Sequence, residues 1–443
     1  MSKYLSIECD WLDQPVPDAV ERRTWACIRM FAASRSVTRL WDRDAKSERI
    51  SLYVPAFPLA NWIVQNWWTL LNEPGRSERT PCDGDDLSEA QKQWLHRHCL
   101  RSADPGLLLP QACFYNDGRS ICIQWTADEQ DSCPQMPGHF VESGLVRISP
   151  DEAQLSLREF VANVISRLEG IDDDRVARMR ANWKAIVEAG PDEIEFCRAA
   201  GQMGLDPYQS GDWDPLVVSL LEHGIGDDTE RPIVGDFLKA VDLAAAVDVW
   251  KWIKGVEKDL SIGKSPQRQT IAELPASNAA SPGYQMARKV RDTAALGPGE
   301  PIDSVEAVAR KLNIAALSFD DHNHLPSTSV RGVVGWDPSR KAVIAGPKPG
   351  RQDSLRFLEA RGLFLAAWNC QRSARLITDA HTWDQQAARA FAAELLAPRR
   401  DLAADLAKDS TGDVIRRLAE KYVVSARVVE HQLNNANVFS GIE

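Results

Sequence analysis

From residue 58 to residue 74 the chain reads "PLANWIVQNWWTLLNEP", and Leu59, Trp62, Ile63, Trp67 and Leu70 recur at three- and four-residue spacing. That period, with proline at both ends, predicts one helix with an apolar inner face, on which Asn66 also lies. Trp68 falls beside that face. The shorter runs "KYLSIECDW" (3–11), "SVTRLWDRD" (36–44), "ERISLYV" (48–54), "QACFY" (111–115) and "ICIQW" (121–125) have strand composition. The last two flank "NDGRS", whose Asp-Gly pair is a hairpin signal. Residues 1–150 are therefore expected to form an α+β domain.

Helical signals take over from residue 151. "LSLREFVANVISRLEG" carries an apolar stripe ending at Gly170, and "PDEIEFCRAAGQMGLDPY" opens on proline and acids and stops at Gly204 and Pro207. These are helix start and stop signals, so residues 151–263 are expected to be an all-helical domain. "KSPQRQTIAELPASNAASPG" (264–283) has no steady period and reads as a linker, placed at 264–282. Residues 283–443 then give two helices, three short strands ("IAALSF", "VRGVVGW", "KAVIA"), two long helices and a helical tail. The fold class expected is multidomain α+β.

Composition narrows the function. With 443 residues, 44% hydrophobic and 26% charged, the chain has the balance of a globular protein, and no apolar run approaches the roughly 18 residues of a membrane span. The first residues lack an apolar export core, and nine cysteines without a C-x-x-C pair suit a reducing compartment. Both features predict a cytoplasmic protein with buried free thiols. The net charge of −11 is uneven: residues 271–443 carry 22 basic and 20 acidic side chains, which leaves 30 against 43, or −13, for residues 1–270. The acidic part disfavours a nucleic-acid surface. Eight of the 15 tryptophans precede residue 130; aromatics so concentrated fill a core or anchor a partner, and Trp68 is the candidate anchor.

Motifs for a serine nucleophile elbow, a phosphate-binding glycine loop or a dinucleotide fingerprint are absent. The segments "RGVVGWDPSRKAVIAG", "LRFLEARGLFLAAW", "AARAFAAELLAP" and "LAEKYVVSARVVEHQLNN" are similar to those of the ImmA/IrrE family of metallopeptidase-like proteins. The resemblance covers residues 281–437 and implies a small zincin-like domain. In active relatives the first long helix carries H-E-x-x-H, two histidines holding zinc with the intervening glutamate as base. Setting Gly362 on the glycine that often precedes the second histidine puts Glu359 at the first ligand, Ala360 at the base and Leu363 at the second ligand. Relatives supply an acidic ligand shortly before the phenylalanine matching Phe391, where this chain has Gln385, Gln386 and Ala387. Asp384 is the nearest carboxylate. The motif is degenerate, so neither catalysis nor a cofactor is expected; zinc, if held at all, would fall to Glu359, His381 and Asp384. Leu363, Phe364 and Leu365 are expected to fill the site, with Glu359 paired to Arg389 or Arg361.

Two other clusters, "DDHNH" (320–324) and "WLHRHCL" (94–100), read as a polar loop and a helix whose histidines diverge. In the tail, "DVIRRLAEKYVVSARVVEHQLNN" places two helices around "YVVS" with Ser425 as N-cap, the spacing of a helix-turn-helix. Arg416, Arg417, Lys421 and Arg427 are its candidate DNA contacts. The sequence thus predicts a non-catalytic regulator or sensor that binds another protein. The resemblance implies a stress, toxin–antitoxin or phage-defence setting. The alternatives are a metallo-endopeptidase with an atypical site and a DNA-binding regulator.

Overall fold

In a computed structural model of the chain, β1 (Leu5–Trp11) leads through the short helix α1 (Ala19–Thr24) into β2 (Trp25–Ala32), and the two strands pair antiparallel from Leu5↔Ala32 to Trp11↔Ala26. Strand β2 alternates strictly between buried and half-buried side chains, as one face on a core requires. It also pairs with β3 (Arg35–Ser36) and, after β4 (Leu40–Asp42) and β5 (Ser47–Arg49), with β6 (Leu52–Pro55). The structure describes residues 4–75, 87–129, 136–209, 214–222, 232–260, 278–312, 314, 317–322, 325, 329–337, 339, 341–368, 374–408 and 413–439. Two units emerge, residues 1–218 and 219–443.

The helix expected over 58–74 is two helices, α2 (Phe57–Gln65) and α3 (Trp67–Asn72), broken at Asn66. Asn66 sits at φ −108°, ψ 16°, and its own amide donates to the Trp62 carbonyl at 2.9 Å, a local bond that competes with the helical ladder. Helix α4 (Glu89–His98) follows, opened by a reciprocal Ser88–Gln91 cap. The hairpin forms as its turn predicts: β7 (Gln111–Asn116) pairs with β8 (Ile121–Thr126), with Gly118 at φ 93° and Asp117 accepting the Ser120 amide at 2.8 Å. Strand β9 (Gly138–Phe140) joins β4 and β5, and β10 (Gly144–Ile148) joins β8.

The helices after residue 150 do not stand apart as a domain. Helices α5 (Pro150–Arg167), α6 (Asp174–Glu188) and α7 (Pro191–Gln202) share one core with the strands, running from Leu5 and Ile28 through Trp67 and Phe114 to Phe160, Met179 and Cys197. Gly201 explains the docking of α7 on α3, because a Cβ there would lie 2.4 Å from the Trp68 carbonyl oxygen. Amphipathic helices of this length need a surface to cover, and the nearest was the sheet. The expected boundary near 150 is thereby replaced by one near 218, close to α8 (Asp214–Glu222).

The second unit opens with α9 (Pro232–Leu238) and α10 (Ala246–Asp259). Most of the expected linker, residues 261–277, lies outside the described residues. Helices α11 (Ala280–Thr293) and α12 (Val305–Lys311) precede a four-stranded sheet of order β11-β13-β12-β14, made of β11 (Leu317–Asp321), β12 (Val330–Trp336), β13 (Ala342–Gly346) and β14 (Arg375–Thr378). The β11–β13 pair is parallel and the other two are antiparallel. "DDHNH" is not wholly a loop: Asp320 and Asp321 close β11, and His324 is outside the described residues. Helix α13 (Gln352–Trp368) crosses the sheet at Gly362, where a Cβ would meet Ile344 at 2.3 Å. Helix α14 (Trp383–Leu396) lies against α11 through Gly283, and α15 (Arg399–Lys408), α16 (Val414–Tyr422) and α17 (Ala426–Phe439) complete the unit. The sheets are small and, apart from the β11–β13 pair, antiparallel, with many helices around them, so the chain is α+β. None of the described helices is long and apolar enough to cross a membrane.

Candidate functional site

Helix α13 presents the degenerate motif positions to packed side chains. Ala360 and Leu363 are fully buried, and Phe364 and Leu365 are nearly so. The Phe364 and Phe391 rings meet at 5.3 Å between centroids, joining α13 to α14. All of these belong to one apolar core with Ile344, Ile377 and Ala387. Ala360 and Leu363 carry no side-chain donor atom and are packed in this core, whereas Glu359 keeps a carboxylate at its margin.

Glu359 is half-buried and makes no hydrogen bond or ion pair among the described residues. Burial pushes its carboxyl above the ordinary glutamate range; Arg356 and Lys348 oppose this and Glu306 adds to it. The partner expected for it is not there. Arg361 is buried and turns to Gln385 (Nη2 to Oε1, 2.8 Å) and the Thr378 carbonyl, while Arg389 donates to the carbonyls of Ala380 (3.0 Å) and Thr378 (3.5 Å). Both guanidiniums serve the segment after β14, because its open carbonyls are closer acceptors than a side chain facing another direction.

The three residues that remained as possible ligands are not brought together. Asp384 is committed to Arg375 at 3.1 Å, and the His381 carbonyl accepts from Gln386 at 2.7 Å. Among the described residues no group of three or more His, Cys, Asp and Glu is placed to hold a metal ion. The donor set does not fit the zinc that the sequence resemblance implies.

What replaces such a site is a buried polar frame around β14. Arg375 is bound by Asp236 of α9 (2.7 and 3.0 Å) and by Asp384 of α14, and the Asp236 carboxylate also accepts the Leu376 amide at 3.0 Å. Burial pulls the Arg375 guanidinium down, yet the two aspartates outweigh it and hold it well above its usual range. Gln385 accepts the Thr378 amide (3.1 Å) and donates to the Leu376 carbonyl (2.7 Å). The outer edge of β14 is thereby served by side chains of its own chain, so it offers no free ladder to an added strand. Nearby, buried Glu394 gathers Arg288 (3.1 Å), Gln432 (3.0 Å) and the Arg399 amide (3.3 Å).

In the tail, Ser425 sits as N-cap of α17, accepting the Val428 amide at 3.4 Å. The four candidate DNA contacts Arg416, Arg417, Lys421 and Arg427 are all exposed, and Arg416 pairs with Asp413 (3.2 Å) and Lys421 with Asp405 (2.6 Å). Trp68 does not anchor a partner: it is 6% exposed, and its indole nitrogen donates to the Tyr208 hydroxyl at 3.3 Å. The packing of Gly201 onto α3 removed it from the surface.

Sequence reading missed Glu73. It is fully enclosed with Arg97 (2.8 Å) and His98 (2.9 Å), and Trp94 stacks on the His98 ring at 4.4 Å. Burial raises the Glu73 carboxyl, but His98 and Arg97 hold it down at about 2. It missed Arg375 as well, since a lone arginine next to apolar residues gives no sign that its partner Asp236 lies 139 positions away. No known family model matches the chain, and no curated protein matches it.

Proposed function

We propose that the chain is a non-catalytic regulator or sensor that binds another protein, built on a degenerate ImmA/IrrE-like peptidase scaffold. The stress, toxin–antitoxin and phage-defence settings in which such scaffolds are used give its context. One observation carries this reading: the positions that would supply a zinc ligand and the general base, Leu363 and Ala360, are fully buried apolar residues. A peptidase needs a polarised water within reach of the substrate carbonyl. Here that volume is core. The sealed outer edge of β14 supports the same reading, because it removes a place where an extended peptide could be laid.

The test is twofold. The full chain, incubated with denatured casein and added zinc, leaves the substrate intact. Crosslinked capture from the native host recovers a protein partner, and that capture is insensitive to chelator and to Glu359→Gln. Cleavage that disappears with chelator would contradict the reading, as would capture that depends on the Glu359 carboxylate in a folded variant.

A further inference from the structure

The face of α13 away from the motif positions borders a cavity of about 700 Å³, within the size range of small-molecule sites. Its lining is uneven in charge. Arg331, Lys348 and Arg361 contribute three cations, and Asp353 is the one carboxylate among the described lining residues. That carboxylate is already paired with Arg351 at 2.5 Å. Arg331 is paired with Asp379 at 2.5 Å, while Arg361 stands 3.8 Å from it. Lys348 is exposed and has no salt bridge among the described residues; only its backbone amide is bonded, to Asp321 at 3.0 Å.

Arg361 is the unusual member. It is 5% exposed, and its Nε finds no acceptor among the described residues. Burial first, and then the repulsion of Arg389 and Arg331, push the guanidinium down to about 9, with Asp379 opposing. At neutral pH it is therefore still charged, in a place where it and Arg331 share the single carboxylate of Asp379. A buried positive group under these conditions is stabilised by a bound anion.

The rest of the wall is apolar. Val330 and Phe357 face the cavity from β12 and α13, Val424 from the turn between α16 and α17, and Val428 from α17. That turn holds Val423 at φ 51°, ψ 55°, a left-handed conformation rare for a β-branched residue. Strain of this kind persists where surrounding structure imposes it, and it clusters at ligand clamps and switches.

We propose that this cavity binds a small organic oxyanion, its phosphate or carboxylate held by Arg361, Arg331 and Lys348 and its carbon skeleton by Val330, Phe357, Val424 and Val428. The site uses none of the degenerate motif positions, so it stands whether or not the peptidase ancestry is correct. It gives a protein without catalysis something to sense, with the tail helices α16 and α17 forming part of the wall.

The probe is 8-anilinonaphthalene-1-sulfonate, an apolar ring system with one anionic group, titrated into the full chain and followed by fluorescence. N-phenyl-1-naphthylamine is its neutral counterpart. The expected result is one saturable site, weakened about ten-fold in Lys348→Glu, as loss of a charge-assisted contact implies, and more weakly occupied by the neutral probe. Competition by inorganic phosphate and by acetate at matched ionic strength tells whether the natural anion is a phosphate or a carboxylate. Arg331→Gln serves as a second variant, and circular dichroism checks that each variant is folded. The proposal is overturned by the absence of a saturable site, by a change under about three-fold in both folded variants, or by failure of both anions to displace the probe.

Discussion

On one side of α13, Ala360 and Leu363 are enclosed and Glu359 stands without a hydrogen-bonding partner among the described residues; on the other, Phe357 and Arg361 border an open cavity with Lys348 and Arg331 across it. At about 100° per residue, Glu359 and Leu363 lie about 120–160° around the helix from Phe357 and Arg361, with Ala360 between the two groups. The difference separates two demands that a metallopeptidase makes of one element. A site that ligates metal needs room for water and donors on the side where the motif points. In α13 the side bearing Ala360 and Leu363 is packed, and the free volume, the excess charge and the left-handed turn at Val423 lie on the other.

The largest effect should come from breaking the closed side. Leu363→Ala removes a fully buried side chain and is expected to cost about 2–5 kcal/mol, read as the urea midpoint at constant slope. On the open side, Ser354→Ala is expected to change stability by less than about 0.5 kcal/mol. Equal costs on the two sides would remove the distinction between them.

A carboxylate in the other unit sharpens the comparison. Glu73 is held at about 2 by His98 and Arg97, so its folded form is depressed from the ordinary 4.5. The stability it contributes is present above 4.5 and is lost as pH falls through about 2, amounting to about 3 kcal/mol at most. Denaturation measured at pH 6 and pH 3 should show more than half of this loss in the native chain and little of it in Glu73→Gln, which starts out less stable because Arg97 loses its counterion.

Glu359 has the opposite sign. Its carboxyl is raised by burial, so the protonated form favours the fold, and that contribution is lost as pH rises through the folded value. Glu359→Gln is expected to raise the thermal midpoint slightly at pH 7, by less than about 1 kcal/mol because the group is half in water, and to match the native chain near pH 4. A marked loss of stability at pH 7 would mean that the carboxylate has a partner essential to the fold.

Local chemistry was legible in the sequence, and long-range packing was not. Asp117 and Gly118 announce their turn because only a few residue types adopt it. Three of the four C-terminal strands could be placed from their runs, and β14, only four residues long, could not. The break at Asn66 was hidden because its side chain competes for a carbonyl within a pattern that otherwise reads as continuous. The merging of α5–α7 with the strands was hidden because an amphipathic stripe shows that a helix is covered and leaves open by what. The burial of Ala360 and Leu363 could be foreseen from their apolar side chains inside a helical run. The cavity could not, because Arg331, Lys348 and Arg361 come from three elements and only the sheet brings them to one place.

The most direct test of the closed face is the metal content of the full chain, purified without chelator or a histidine tag, measured by elemental mass spectrometry beside Glu359→Ala. The account predicts far less than one zinc per chain in both, with both folded. Near-stoichiometric zinc in the native chain that is lost in Glu359→Ala would contradict it, and would mean that α13 still turns its motif side toward a metal.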